Sequence, residues 1–397
     1  MPAPEVITLG CRLNLAESEA IRALLGGHDA VVVNSCAVTD TAVKQTRAAI
    51  RRARRARPGA ELIVTGCAAT IDPAGFGAMP EVDRVVANAA KALPASWGAC
   101  GPAPTVAFAG HARALVEVQN GCDHACTFCV IPSGRGPSRS VAADAVVARV
   151  RGLVAAGHRE VVLTGVDLTS YGPDLPGAPT LGALVERVLA ETGVPRLRLS
   201  SLDAIEIDDR LFGLLTSEAR IMPHVHLSLQ AGSDLVLKRM KRRHGRAQAV
   251  ALIERLKARR AIAIGADLIA GFPTETADQA ADTLALLDDG DIVHAHIFPY
   301  SPRAGTPAAR MPQVAPEVRR ARAARLREVA ATRKAAWLRT LVGSVQDVLV
   351  ERPGDRGHAP GFAEVRLPSP GRPASTGEVL AVRVIGAADG HLIGIPA

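Results

Sequence analysis

The chain has 397 residues, of which 48% are hydrophobic and 3% aromatic, and its formal net charge is +8. This length exceeds one ordinary domain, so we expect two or three. No uncharged apolar run reaches the roughly 18 residues of a membrane span, and residues 1–5 do not resemble a signal peptide. We therefore expect a cytoplasmic protein, in which the seven cysteines indicate metal or redox chemistry and not disulfides. The positive charge is suitable for binding RNA. Because aromatic side chains are so few, base stacking on them cannot be a large part of any RNA binding.

Residues 1–91 alternate between short apolar runs and helical periodicity, which predicts a parallel-sheet α/β domain. The predicted helices are Asn14–Leu25 and Thr41–Arg57. The predicted strands are Val6–Leu9, Ala30–Asn34 and Leu62–Thr65. Each strand is followed within one or two residues by a cysteine, and these are Cys11, Cys36 and Cys67.

The carboxyl ends of parallel strands lie side by side, so these three thiols are expected to converge. Three unrelated buried cysteines are the alternative, since single buried cysteines are common. Their equivalent positions in consecutive units favour an iron–sulfur cluster instead. Residues 92–111, rich in Ala, Gly and Pro, are predicted to be a linker, and Cys100 within it is expected to be a bystander.

Residues 112–340 repeat the strand–helix alternation six times, which predicts a partial (β/α)6 barrel with helices outside. The predicted strands are Ala114–Gln119, Glu160–Thr164, Arg196–Ser200, His224–Leu229, Ile262–Ile269 and Ile292–Phe298. The predicted helices are Ala142–Ala156, Leu181–Glu191, Asp208–Thr216, Leu235–Met240, Ala247–Arg259, Ala277–Leu287 and Pro316–Thr340.

A compact CxxxCxxC loop, formed by Cys122, Cys126 and Cys129, follows the first strand of this barrel. A 4Fe–4S cluster normally takes four cysteine thiolates, so three ligands would leave one iron open for a substrate or cofactor. The alternative is a structural zinc knuckle with His124 as the fourth ligand, although paired CxxC units are more usual there. The loop, with Phe128 before its last cysteine, resembles the radical S-adenosylmethionine superfamily.

Residues 341–397 change pattern to short β-like runs separated by Pro/Gly-rich loops at 352–361 and 368–373. The runs are Ser344–Glu351, Ala363–Leu367, Glu378–Ile385 and His391–Ile395. This pattern predicts a small C-terminal β-barrel.

Motifs along almost the whole chain resemble the radical S-adenosylmethionine methylthiotransferases. The motifs are Thr8–Asn14, Val33–Thr39, Val64–Ala68, Gly165–Asp167, Leu229–Ser233, Asp267–Glu275 and Phe298–Pro307. The resemblance implies an N-terminal methylthiotransferase domain, a radical barrel and a C-terminal TRAM-like barrel that contacts RNA. Within the family, Leu9–Asn14 and Phe298–Arg303 most resemble the branch that acts on N6-threonylcarbamoyladenosine in tRNA. Asp167, Ala231 and a short first domain depart from that branch.

The resemblance implies two 4Fe–4S clusters and S-adenosylmethionine. Cys122, Cys126 and Cys129 would hold the cluster that binds S-adenosylmethionine, whose reductive cleavage gives the radical that removes hydrogen from carbon 2 of the adenine. The second cluster, on the other three cysteines, would deliver a methylated sulfur. No side chain is expected to act as acid or base, because this C–H bond is not acidic. The implied partners are the tRNA anticodon stem-loop, an electron donor such as a flavodoxin or ferredoxin, and a sulfur source.

Two sets of further residues are predicted to contact ligands. Phe128, Gly165, Gln230 and Gly271 are candidates for the cofactor, although tight turns or core packing would also explain them. Lys241, Arg242 and Arg243 are candidates for contact with RNA or the cofactor. Alternative substrates are isopentenyladenosine in tRNA and an aspartate of a ribosomal protein. A zinc-stabilised RNA-binding module is the non-catalytic alternative.

Overall fold

The structure is a computed structural model that describes residues 4–99, 108–368 and 374–397. Cys100, predicted to be a bystander, lies outside the described residues. Within these ranges no helix is both long enough and apolar enough to cross a bilayer. The larger strand groups are a four-stranded sheet, six parallel strands in two sheets of three, and a closed five-stranded barrel.

The first sheet is parallel, with the order β1-β2-β3-β4. Its strands are β1 (Glu5–Thr8), β2 (Ala30–Ser35), β3 (Glu61–Gly66) and β4 (Arg84–Val85), and its helices are α1 (Arg12–Leu25), α2 (Asp40–Ala56), α3 (Cys67–Ile71) and α4 (Pro73–Gly77). Strand β2 is buried at every position, as expected for a parallel strand covered on both faces. Val31 and Val33 pack with Ile50 of α2, whereas Val32 packs with Ile21 of α1.

The described part of the predicted linker is packed against this sheet. A 3-10 turn, Pro94–Trp97, places Trp97 in a core with Ile21 and Val32, where the indole is 2% exposed. The indole Nε1 donates a hydrogen bond of 2.8 Å to the carbonyl of Lys91. The sequence did not indicate this packing, because a single tryptophan in an Ala/Gly/Pro-rich stretch gives no periodic signal.

The middle of the chain is built from eight strands and eight helices among its described residues. In chain order the strands are β5 (Ala114–Glu117), β6 (Gln119–Asn120), β7 (Arg139–Ser140), β8 (Glu160–Thr164), β9 (Arg196–Leu199), β10 (His224–Gln230), β11 (Ala263–Ala270) and β12 (Ile292–Pro299). The helices are α5 (Ile131–Arg135), α6 (Ala143–Ala155), α7 (Leu181–Glu191), α8 (Asp209–Ser217), α9 (Asp234–Met240), α10 (Arg246–Arg259), α11 (Ala277–Asp289) and α12 (Pro316–Thr340).

Six of these strands are parallel and form the partial barrel. They pair as β5-β8-β9 and β10-β11-β12, and parallel bridges Leu197–Ile221 and Leu202–Leu227 connect the two sheets. The short β6 and β7 pair separately and bracket the CxxxCxxC loop. Helices pack outside around one large apolar core. We call the space enclosed by the inner faces of the six strands the lumen.

The C-terminal strands close into a barrel with the order β13-β14-β15-β17-β16. They are β13 (Val345–Glu351), β14 (Arg356–His358), β15 (Glu364–Arg366), β16 (Val379–Ala388) and β17 (His391–Pro396). The sequence predicted a loop where β14 lies. Gly357 explains the difference. A Cβ there would lie 2.1 Å from the Leu349 carbonyl oxygen, so the close pairing of these strands requires glycine. Because glycine has a low β propensity, the sequence indicated a loop. The α/β, partial-barrel and β-barrel fold class is confirmed.

Candidate active site

The loop between β6 and α5 carries the first cysteine triad, Cys122, Cys126 and Cys129. It begins at Gly121, whose φ is +74° and where a Cβ would lie 1.8 Å from the Pro137 carbonyl oxygen, so only glycine fits. Thr127 fixes the middle of the loop, because its amide donates to the Met240 carbonyl and its hydroxyl to the Arg239 carbonyl. The loop is therefore held to helix α9.

The thiols of this triad lie close enough to interact electrostatically. Burial raises the pKa of Cys122 to about 12 and that of Cys129 to about 11. The amides of His124 and Ile131 each lie 3.4 Å from a triad sulfur and point toward it. A metal that binds these thiols must displace their protons, and the amides then stabilise the thiolates.

Arg242 connects this triad to a buried acid. Its guanidinium lies 3.7 Å from the Cys126 sulfur and 2.8 Å from a carboxylate oxygen of Asp203. Burial raises the pKa of Asp203, but His244, 3.7 Å away, and the charges of Arg242 and Arg243 outweigh it, so the net pKa is lowered. Arg242 therefore presents a positive charge, oriented by Asp203, to one cysteine of the triad.

Asp167 and His124 form a second polar contact at the triad. Asp167 accepts from His124 Nε2 at 2.7 Å and lies 3.7 Å from the Cys122 sulfur. The Asp167 hydrogen bond raises the pKa of His124. His124, the residue considered as a zinc ligand, is thus bound to a carboxylate in this arrangement.

The second triad lies at the carboxyl end of the first sheet. Cys11 precedes α1, Cys36 follows β2, and Cys67 is the first residue of α3. Burial raises the pKa of Cys36, and the neighbouring Cys11 and Cys67 raise it further. Gly10, the residue before Cys11, packs against Cys36, and a Cβ there would lie 2.7 Å from the Cys36 sulfur. Cys11 and Cys67 therefore both lie near Cys36, although the three cysteines are 25 and 31 residues apart in the sequence.

A buried charge cluster lies behind the second triad. Glu17 binds Lys91 at 2.6 Å and Arg135 at 2.9 Å, and Arg135 also donates to Asn14 Oδ1 at 2.6 Å. Burial raises the pKa of Glu17, but these two cations outweigh it, so the net pKa is lowered. Burial raises the pKa of the nearby Glu117. Lys91 and Arg135 also lie close enough to Cys67 to interact with its thiol electrostatically, so this cluster places cations beside the second triad.

The two triads face each other across the junction of the first sheet and the barrel. Helix α3, which begins at Cys67, packs against α5, which follows Cys129 by two residues. A Cβ on Gly134 would lie 3.2 Å from the Cys67 Cβ, and Cys67 is close enough to raise the pKa of Cys129. Asn88 spans the junction, since its amide donates to the Gly134 carbonyl at 2.6 Å and lies 3.7 Å from the Cys67 sulfur.

The amino end of the lumen is lined by charged groups and one aromatic ring from the C-terminal barrel. Phe362 stacks on His224 with a ring separation of 5.1 Å and on His358 at 4.6 Å. Farther into the lumen, Asp267 accepts from His226 at 3.1 Å and from His296 at 3.2 Å. We call the side chains of Arg12, Arg113, Glu160, Arg196, Arg198, Asp267, Glu351 and Phe362 the lumen floor.

Comparisons with known proteins agree with this arrangement. Residues 116–287 match the radical SAM superfamily model, and residues 4–87 match a model described as uncharacterised protein family UPF0004. The chain is 42% identical to "Threonylcarbamoyladenosine tRNA methylthiotransferase MtaB" of Rickettsia prowazekii, over 98% of this chain and 96% of that protein. It is 33% identical to "tRNA-2-methylthio-N(6)-dimethylallyladenosine synthase" of Maricaulis maris, over 98% of this chain and 95% of that protein.

The chain belongs to the radical S-adenosylmethionine methylthiotransferase family. Among solved structures, it resembles a radical S-adenosylmethionine methyltransferase, TsrM, from Kitasatospora setae, with a TM-score of 0.52 at 15% identity. That match covers 85% of this chain and 71% of the other, and it supports the fold. The predicted family is thus confirmed.

The donor sets suit the two 4Fe–4S clusters of methylthiotransferases. Each site offers three thiols, which suit iron–sulfur clusters, and each has a cation nearby to balance their charge. Cys122, Cys126 and Cys129 would hold one cluster, and Cys11, Cys36 and Cys67 the other.

The predicted cofactor contacts lie at the carboxyl-end face of the barrel. Phe128 is half-buried, with its ring edge-on to Phe272 at 6.4 Å. Gly165 packs on Gln119, and a Cβ there would lie 2.9 Å from the Gln119 Oε1. Gln230 and Gly271 both have φ of +71°, a conformation that reverses the chain after a strand. Packing and turn geometry account for Phe128, Gly165 and Gly271, and cofactor contact stays a prediction for all four.

The three basic residues predicted to contact RNA or cofactor separate in the structure. Lys241 ends α9 and is exposed, and Arg243 is 44% exposed while bound to Glu206 at 2.6 Å. Arg242 is 8% exposed and bound to Asp203 beside Cys126. Its position favours the cofactor over RNA, because the surrounding protein shields it from a phosphate backbone.

The sequence did not indicate four residues that the structure brings to the site, namely Asp203, Arg135, Asn88 and Arg12. Asp203 follows β9, so its position at the carboxyl end of a barrel strand was a usable signal. Arg135 and Asn88 come from segments without periodicity. Their roles depend on contacts between the first sheet and the barrel, which no local pattern encodes.

Proposed function

We propose that the chain is a tRNA methylthiotransferase that converts N6-threonylcarbamoyladenosine next to the anticodon into its 2-methylthio derivative. The observation that carries the chemistry is the convergence of two cysteine triads on one junction. The choice of nucleoside follows the 42% identical relative. The reaction replaces the hydrogen on carbon 2 of the adenine by a sulfur that carries a methyl group.

When bound, the two clusters and S-adenosylmethionine supply the radical that removes this hydrogen and the methylated sulfur that replaces it. The protein side chains position these groups. Arg242 places a positive charge beside Cys126, and Lys91 and Arg135 place one behind the second triad. Such cations stabilise thiolate ligands and influence the reduction potential of a cluster.

The rigid junction between the first sheet and the barrel serves the transfer itself. Arg135 bonds to Asn14 and Glu17 of α1, so the helix after the first triad is fixed to the helix after Cys11. A reaction that uses both triads in turn requires a constant separation between them. The buried network therefore holds the two metal sites at a fixed separation.

The partners follow from this reaction. The substrate is the anticodon stem-loop of tRNA, an electron donor such as a flavodoxin or ferredoxin provides the electron, and a separate source renews the sulfur. A cytoplasmic location is part of the same proposal. The exposed Lys241 and Arg243, which follow β10 on the carboxyl-end side, are the residues proposed to meet the tRNA backbone.

Two cysteine variants test the proposal. Wild-type chain reconstituted without oxygen should hold about eight irons, and Cys126→Ala and Cys36→Ala about four each. Cys126→Ala should form no 5′-deoxyadenosine, whereas Cys36→Ala should form it but no methylthio nucleoside. Cys100→Ala is the matched control and should behave as wild type. Deoxyadenosine from Cys126→Ala would contradict the assignment of the first triad.

The alternatives give different results in cells and in metal analysis. In a deletion strain, 2-methylthio-threonylcarbamoyladenosine should disappear from bulk tRNA while its unthiolated precursor accumulates. Loss of the 2-methylthio derivative of isopentenyladenosine instead would identify isopentenyladenosine as the substrate. An unchanged set of methylthio nucleosides would favour the ribosomal-protein aspartate. Stoichiometric zinc with little iron or sulfide would support the non-catalytic module.

A further inference from the structure

Arg12 is a cation without a counterion in the lumen. It is the residue after Cys11, and its guanidinium carbon lies 5.5 Å from the centre of the Phe362 ring. Among the residues that the structure describes, none places a carboxylate oxygen within 4.0 Å of this guanidinium. The side chain is accessible to solvent, although protein surrounds it closely enough to lower its pKa, with the neighbouring Arg113 adding to that effect.

The three carboxylates of the lumen floor are already bound elsewhere. Glu160 accepts from Arg113, Arg196 and Arg198 at 2.8 to 2.9 Å. Asp267 accepts from two histidines, and Glu351 accepts from Arg113 at 2.6 Å and His358 at 2.7 Å. The lumen floor therefore holds four arginines against three carboxylates. An anion is the ligand that would balance it.

The nucleoside of the proposed function carries such an anion. A threonine linked through its amino group to a carbamoyl group keeps a free carboxylate, whereas a dimethylallyl group is an uncharged hydrocarbon. A guanidinium binds a carboxylate through two parallel hydrogen bonds, which gives both strength and orientation. A positive charge in the lumen thus favours one nucleoside over the other.

We propose that Arg12 binds the carboxylate of the threonylcarbamoyl group and is the residue by which the enzyme selects this nucleoside. This inference rests on the function proposed above. Arg12 directly follows Cys11, and its side chain extends from there to the lumen floor, where the guanidinium lies over Phe362. The His226–Asp267–His296 chain lies in the same space and offers partners to the carbamoyl and hydroxyl groups.

The test compares two tRNA substrates that differ only in charge at this group. One carries the native threonylcarbamoyl carboxylate, and in the other that carboxylate is converted to a carboxamide. We measure kcat/KM for methylthiolation and Kd for binding, using wild type, Arg12→Gln and Arg12→Lys. Wild type should prefer the acid by about 100-fold in kcat/KM, the range expected for hydrogen bonds to a charged group. Arg12→Gln should treat both substrates alike within about threefold, and Arg12→Lys should keep a reduced preference.

Arg22→Gln is the matched control, since Arg22 lies on the same helix and is paired with Glu19 at the surface. It should keep the preference of wild type. The iron content of each variant separates loss of the second cluster from loss of the anchor. Equal use of acid and amide by wild type, or an unchanged preference in Arg12→Gln, would overturn the inference. If wild type methylthiolates neither substrate, the proposed function fails, and the ratio of the two Kd values still decides the role of Arg12.

Discussion

Glu160 is the carboxylate on which the charge balance of the lumen floor depends. It is fully buried, and its three arginine partners are Arg113, which directly precedes β5, and Arg196 and Arg198, which both lie on β9. Burial raises the pKa of Glu160, but Arg198, Arg113 and Arg196 outweigh it and lower the pKa from its ordinary value of 4.5 to about 2. Through Arg113 the cluster also reaches Glu351 of the C-terminal barrel.

The variant Glu160→Gln removes this charge and keeps the shape of the side chain. The lowered pKa corresponds to about 3 kcal/mol of stabilisation of the ionised form. The loss of one partner from a buried ion cluster typically costs about 3–5 kcal/mol. We therefore expect Glu160→Gln to lower the free energy of unfolding by about 3 kcal/mol at pH 7.

Tryptophan fluorescence provides the assay. The chain has two tryptophans, and Trp337 lies edge-on to His294, 5.0 Å away, near the C-terminal barrel. In a Trp97→Phe background, urea unfolding monitored by Trp337 reports on this region alone. Glu186→Gln is the matched control, because Glu186 pairs with Arg210 at the surface with both side chains more than half exposed. Such a pair contributes about 0–1 kcal/mol.

The pH dependence gives the sharper test. The folded pKa lies below the unfolded one, so the stabilisation is complete above the unfolded pKa of 4.5 and disappears as the pH falls toward 2. The difference between wild type and Glu160→Gln should be constant from pH 7 to about 5 and should shrink as the pH falls further. Effects common to both chains, including those of the clusters, cancel in this difference. A difference below about 1 kcal/mol at pH 7, or one that grows in acid, would mean that the charge of Glu160 does not stabilise the fold.

Three further predictions concern the site and its edges. Lys241→Gln should weaken tRNA binding and reduce the slope of log K against log salt by about 0.7–0.9, the contribution of one phosphate contact; an unchanged slope would exclude that contact. Arg242→Lys should keep tRNA affinity within about twofold but lower deoxyadenosine formation by about 10-fold, as changes next to metal ligands do; the reverse pattern would assign Arg242 to RNA. Phe362→Ala should lower the free energy of unfolding in the Trp337 assay by about 2 kcal/mol, because a half-buried ring leaves the lumen floor; a neutral effect would mean that the ring contributes no packing.

The sequence predicted most elements of the fold because their patterns are local. Strand β8 and helices α7 and α12 were predicted with their observed ends, since apolar alternation, helical period and flanking Gly or Pro all agree there. β14 was missed because Gly357 has no strand propensity, and its position is set by the neighbouring strand. β4 was not predicted, because a strand of two residues is too short to show an alternating pattern of apolar and polar side chains.

Residues of the candidate site could be predicted only where the residue type itself indicates the chemistry, as cysteine does. Six cysteines identified both triads, and the structure brings each set together. The charged groups around them were not predictable, because Arg135 meets Glu17 across 118 residues and Arg12 meets Phe362 across 350. Arg242 is a further example, because the sequence of a basic run does not show which of its residues is buried against Asp203.

Phe362 comes from the C-terminal barrel, the part of the chain predicted to contact RNA, yet its ring forms part of the lumen floor. Removal of residues 341–397 would therefore do more than weaken tRNA affinity. It would leave Arg113 without Glu351 and open the amino end of the lumen to water. A truncated enzyme would lose turnover even on a short anticodon hairpin, so binding and chemistry in this protein cannot be separated by cutting the chain between domains.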